Sequence, residues 1–229
     1  MVAVVGDIHG CYNTFIGLLE KIKNSYPSIE IYCVGDLIDR GKFGYEVIHY
    51  VQNTNIKFTP GNHDYMFYHF FKDPESIFAR TWVFNGNELT LESYNNHENA
   101  IFEHIDFIQK QPLFYNLEDC FISHAGVSEK YFRTIQKDGS VDFDELEREI
   151  YADKISDKGV LWNRAPLLNI GKLQVFGHTK HQKIIFNEDT FSVNIDTGAA
   201  YGNKLSALVI HNNEIVDTFE EFTLIDDII

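Results

Sequence analysis

Three short apolar runs, VAVV at 2–5, IEIYCV at 29–34 and IKFT at 56–59, each stop at or next to a glycine that opens a polar loop. Helical patterns separate them. Over 11–24, Phe15, Ile16, Leu18, Leu19 and Ile22 recur at helical spacing, and 43–52 reads as a second helix. Brief, continuously apolar strands alternating with amphipathic helices predict an α/β fold on a mainly parallel sheet. In such a sheet the loops after the strands gather at the carboxyl edge, where ligands bind.

The rest of the chain is less regular. Residues 64–111 are rich in Phe, Tyr, His and Asn and read as an insert of two to four helices. Strand character returns at 113–117 and 120–123, as a hairpin, and a second, acidic helical insert is expected over 128–158. The runs at 173–176, 183–186, 191–195, 205–211 and 214–219 predict an antiparallel meander, with a tight turn at Asn212–Glu214. No repeat, low-complexity tract or linker interrupts the chain, so one domain over 1–229 is expected.

Composition narrows the function. With 34 acidic against 19 basic residues the net charge is −15, which disfavours nucleic acid as a partner. No apolar run is long enough to span a bilayer, so no membrane partner is expected. The start of the chain has no signal-peptide pattern. Three unpaired-looking cysteines, Cys11, Cys33 and Cys120, suit a reducing compartment, read here as the cytoplasm. Oligomeric state is left open.

The strand-end loops hold the chemistry. They are GDIHG (6–10), GDLIDRG (35–41), GNHD (61–64), SHAG (123–126) and GHT (177–179). One Asp-x-His alone would read as a turn; five such loops together do not. They offer Asp7, His9, Asp36, Asn62, His124 and His178 as oxygen and nitrogen ligands. That donor set, without clustered cysteine, suits divalent manganese, iron or zinc. The ligand count favours two ions, with one carboxylate shared. Asp36, after the second and central-looking strand, is the expected bridge.

These five motifs, in this order and spacing, resemble the phosphoprotein phosphatase branch of the calcineurin-like metallophosphoesterases, especially the small bacterial and phage lambda-type Ser/Thr phosphatases. The likeness runs from residue 2 to about 210 and includes LWNR at 161–164. It implies a four-layer αββα sandwich. It implies a first metal on Asp7, His9 and Asp36, and a second on Asp36, Asn62, His124 and His178. It further implies a metal-bridging hydroxide as nucleophile, His63 as general acid oriented by Asp39, and Arg40 and Arg164 gripping phosphate oxygens.

The resemblance implies a phosphorylated protein or peptide as substrate, carrying phosphoserine or phosphothreonine, or also phosphotyrosine if the enzyme has dual specificity. Asp39 resembles the protein phosphatases, whereas Asp64 in GNHD resembles the symmetrical diadenosine tetraphosphatases, so a small dinucleoside polyphosphate is the alternative substrate. His181, three residues after His178, reads as a solvated loop residue rather than a ligand. Cys11 is expected behind the first loop. His69, His97 and His104 are expected in the core or surface of the insert.

Overall fold

The alternation within VAVV explains how one short strand serves two cores. In β1 (Val2–Val5), Val2 and Val4 face a second sheet, while Ala3 and Val5 face helices. The structure, a computed structural model, describes residues 1–228. β1 lies at the centre of five strands. It pairs in parallel with β2 (Glu30–Cys33), which pairs in parallel with β3 (Lys57–Phe58). On its other side runs β9 (Lys204–His211), antiparallel, followed by β10 (Glu214–Phe222). The second sheet runs β4 (Phe114–Asn116), β5 (Phe121–Ser123), β6 (Gln174–Phe176), β8 (Ser192–Asn194), β7 (Ile185–Asn187). Its three inner strands are parallel and its two edges antiparallel.

Among the described residues seven α-helices complete the fold: α1 (Tyr12–Ser25), α2 (Gly44–Gln52), α3 (Asn62–Lys72), α4 (Ile77–Trp82), α5 (Glu88–Ser93), α6 (Ile101–Gln109) and α7 (Phe143–Ala152). Phe15, Leu18, Leu19 and Ile22 give α1 one apolar stripe, buried with Val47, Phe67 and Ile105 against the outer face of the first sheet. Tyr32, Val34, Ile122, Val175, Val193 and Leu208 fill the space between the sheets. Phe121, Val127, Leu146 and Ile150 form a third core, where α7 covers the second sheet. The order helix, sheet, sheet, helix is the expected αββα sandwich.

Three expectations need correction. The last third is not one meander. β6 and β8 pair in parallel in the second sheet, whereas β9 and β10 cross to the first. The β7–β8 and β9–β10 pairs are antiparallel as expected, and in the latter Asn212 (φ 50°) and Asn213 (φ 64°) take the left-handed pair that a tight hairpin needs. The segment 128–158 is helical only at a 3₁₀ turn over Glu129–Thr134 and in α7; between them Ile135 bridges Val141 around a turn at Gly139 (φ 86°). Finally, α3 begins at Asn62, inside the GNHD motif rather than after it. The Asp64 carboxylate accepts the Gly61 N–H at 2.8 Å, so it caps the helix whose first turn carries Asn62 and His63.

Candidate metal centre

The loops after β1, β2, β3, β5 and β6 converge, and their backbones are bent to do so. His9 (φ 48°), Asp36 (φ 49°), Asp39 (φ 72°), Arg40 (φ 71°) and His178 (φ 69°) all hold left-handed conformations, which are uncommon outside glycine. Such outliers concentrate where a function over-determines the backbone. Glycine is required at two contacts. A Cβ on Gly61 would lie 2.0 Å from Asp36 Oδ1, and one on Gly177 would lie 1.7 Å from Asp7 Oδ1.

Two groups of candidate ligands result, each with its donor atoms within 4.8 Å of one another: Asp7, Asp36 and His124, and His9, Asp36 and His63. Asp36 belongs to both. Its Oδ2 lies 3.4 Å from His9 Nε2 and 3.5 Å from His124 Nε2, while Oδ1 accepts the His63 N–H at 2.9 Å. Asn62 Oδ1 lies 3.0 Å from His124 Nε2 and 2.9 Å from His178 Nδ1. The other nitrogens are committed to backbone: His9 Nδ1 meets Ile38 O at 2.8 Å and His124 Nδ1 meets Val34 O at 2.9 Å. Those bonds turn Nε2 of both rings inward, as outer hydrogen bonds do for metal-ligating histidine. The six expected ligands are thus gathered at one place.

The electrostatics are those of a cation site. Burial, then the charges of Asp196 and Asp36, raise the Asp7 carboxyl well above its ordinary value. Burial would lift Asp36 too, but the charges of His124, His63, His9 and Arg40 overcome it and hold that carboxyl below its usual range. Burial pushes His9 and His124 down, and burial with neighbouring His124 pushes His178 down to about 3. Burial thus favours the neutral form of each ring, the form that binds metal, against the pull of the Asp36 carboxylate on His9 and His124. Asp7 Oδ1 and His178 Nε2 are buried without any hydrogen-bond partner. Buried polar atoms are rarely left so, and a divalent cation beside Asp36 would satisfy Asp7 Oδ1, while His178 faces the other ligands through Nδ1, 2.9 Å from Asn62 Oδ1.

His63 stands beside this cluster. Its Nδ1 lies 2.6 Å from Asp39 Oδ2, and its Nε2 lies 2.7 Å from Arg40 Nη2. Arg40 Nη1 also contacts His9 Nε2. Asp39 is fully buried and its oxygens accept from Trp82 Nε1 at 2.7 Å and Thr90 Oγ1 at 2.8 Å. Arg164 is exposed and touches none of the ligands, but it lines the same cleft as Asp36, Arg40, Asn62, His63 and His178, of about 120 Å³. His181 is exposed and outside the ligand groups. Cys11 is buried under the first loop, as expected. His104 is in the insert core against Tyr94, and His97 stacks on Tyr45.

Sequence reasoning missed three residues. Trp82 and Thr90 hold Asp39 from within the insert, and no motif marks them. Asp196, which burial raises to about 6, was legible: VNIDTG, after β8, repeats the pattern of a strand, an acid and a glycine.

The calcineurin-like phosphoesterase family model matches residues 1–209. The chain belongs to that family, and its site is that of a metal-dependent phosphoesterase. It is 29% identical over 245 residues to a Bacillus cereus protein named bis(5'-nucleosyl)-tetraphosphatase PrpE (asymmetrical), covering 93% of this chain and 92% of that one. Among solved structures, a putative diadenosine tetraphosphatase superposes with a TM-score of 0.60 at 20% identity, covering 97% of this chain and 94% of the other. A cold-active protein-tyrosine phosphatase of a Shewanella species gives a TM-score of 0.61 at 18% identity, covering 97% and 80%. At these identities the two structures share the fold. Among the described residues, no helix is long and apolar enough to cross a membrane.

Proposed function

We propose that the protein hydrolyses phosphate esters and anhydrides with two divalent cations. One would be held by Asp7, His9 and Asp36, the other by Asp36, Asn62, His124 and His178. The observation that carries this reading is Asp36, the one residue common to both ligand groups. The mixed nitrogen and oxygen donors suit manganese, iron or zinc. Bound there, the cations supply Lewis-acid polarisation of a phosphoryl oxygen and a water made acidic enough to attack phosphorus.

The chain's own residues do the rest. Asp39, on His63 Nδ1, keeps that nitrogen protonated and points Nε2 into the cleft. Arg40, which can only donate, holds Nε2 as an acceptor; with that guanidinium turned to the phosphate oxygens, a protonated Nε2 would deliver its proton to the departing oxygen. Arg40 and Arg164 line the cleft from two sides and offer planar pairs of N–H donors to phosphate oxygens. They also place positive charge locally on a chain of net charge −15.

For the substrate we favour a dinucleoside polyphosphate, because the Bacillus relative carries that activity in its name and aligns over nearly the whole chain. A phosphoserine or phosphothreonine protein is the second reading, favoured by the Asp39–His63 pair that the DRG motif creates. Asp64 does not line the cleft. It is buried, and its oxygens are taken by the N–H groups of Gly61 and Leu37. The test is turnover of diadenosine tetraphosphate, a phosphoserine peptide and p-nitrophenyl phosphate by chelated protein resupplied with manganese. The highest kcat/KM is expected on the dinucleotide. A higher value on the peptide would establish the second reading, and no metal-dependent turnover of any would refute both.

A further inference from the structure

Two cations share one exposed aromatic ring, and one of them, Arg40, lines the cleft. The Lys180 ammonium lies 3.1 Å from the centroid of the Tyr201 ring, and the Arg40 guanidinium carbon lies 5.5 Å from it. Among the described residues neither cation has a carboxylate within ion-pair distance. Tyr201 is 54% exposed, with the Lys180 ammonium over one face of its ring.

The arrangement is built rather than incidental. Asp196 ties together the loops that bear it. Its carbonyl accepts the His181 N–H at 2.9 Å, which fixes the backbone next to Lys180. Its Oδ1 accepts the Gly198 N–H at 3.0 Å, which fixes the turn carrying Tyr201. That turn is a 3₁₀ helix over Ala199–Tyr201, closed at both ends by left-handed glycines, Gly198 (φ 75°) and Gly202 (φ 78°). Arg40 connects the pair to the reacting centre, since its other contacts are His9 and His63.

We propose that Lys180, Tyr201 and Arg40 form a second phosphate subsite, which binds the phosphate next in line to the one being cleaved. The substrate class this selects is a linked polyphosphate, not an isolated phosphomonoester. The proposal rests on the polyphosphate reading of the site and assigns that specificity to residues. An ammonium and a guanidinium flanking one ring present several donors to a chain of anionic oxygens. The Asp196 carboxylate opposes an anion here, and its Oδ1 is engaged by the Gly198 N–H.

Lys180→Gln and Lys180→Arg test it on the manganese-loaded protein. Lys180→Gln lowers kcat/KM for diadenosine tetraphosphate about ten-fold more than for p-nitrophenyl phosphate, chiefly through KM, and Lys180→Arg restores most of the difference. Equal losses on the two substrates overturn the subsite. Calorimetric titration with methylenediphosphonate and with methylphosphonate reads the same residue without turnover. Wild type should prefer the diphosphonate by about ten-fold more than Lys180→Gln does, metal chelation by the ligand being common to both. Equal preferences overturn the subsite even if the protein proves to hydrolyse neither ester. Retained preference with no turnover of the dinucleotide upholds the subsite and rejects the hydrolase reading.

Discussion

Trp82→Phe removes one atom group that the proposed acid depends on and leaves every candidate ligand in place. The Trp82 indole is fully buried and donates to Asp39 Oδ2 at 2.7 Å, the same oxygen that meets His63 Nδ1 at 2.6 Å. A hydrogen bond to a charged group contributes about 1.5–3 kcal/mol, and phenylalanine leaves that lone pair unmet in a dry place. For a chain of this size each kcal/mol moves Tm by about 2–4 °C, so a fall of about 3–12 °C is expected by calorimetry. The kinetic signature is more specific. Asp39 keeps its bond from Thr90, but His63 is held less firmly. Turnover of an alkyl phosphate, whose leaving group needs a proton, should fall about ten-fold, a fraction of the 10²–10⁴ that general acid catalysis supplies. Turnover of p-nitrophenyl phosphate, whose leaving group needs little help, should fall far less. Equal losses on both esters would refute the argument that the insert acts through His63.

Replacing the acid itself, His63→Asn, should cost about 10²–10⁴ on alkyl phosphates and much less on p-nitrophenyl phosphate, with metal content unchanged; loss of metal would make His63 a ligand, as its place near His9 and Asp36 allows. Asp36→Asn should abolish retention of both ions in metal analysis of the dialysed protein, because both ligand groups lose a charged donor at once; retention of both would remove Asp36 as the bridge. Acid stability provides an independent check far from the centre. Burial holds His104 down to about 4, against 6.5 unfolded, so the unfolded chain binds the extra proton between those values. The stability this contributes is complete above pH 6.5 and is lost as pH falls toward 4, by at most about 3 kcal/mol. His104→Gln should flatten that part of the Tm–pH curve, and an unaltered slope would contradict the assignment.

How much of this was legible depended on whether the signal was local. β1, β2 and β3 were readable because each is a short apolar run closed by a glycine loop, and the ligands were readable because those loops carry acids and histidines at fixed places. The sheet to which each later strand belongs was not. β8 and β9 are both apolar runs buried along most of their length, and burial alone does not say whether the partner is β6 or β1. Gly61 and Asp64 cap α3 two residues earlier than an apolar period would suggest, which is why Asn62 and His63 lie on its first turn. Trp82 and Thr90 were hidden for a different reason. Their partner is Asp39, more than forty residues away, and the distance between them exists only once the insert has folded back over the GDLIDRG loop.

The central claim is a pair of cations sharing Asp36. Its most direct test is to strip the protein with chelator and titrate manganese back while following both bound metal and turnover of p-nitrophenyl phosphate. The account predicts that activity saturates at two ions per chain in the wild type, and that Asp36→Asn binds neither ion and stays inactive. Full activity in the stripped protein, or saturation at a single ion, would contradict it.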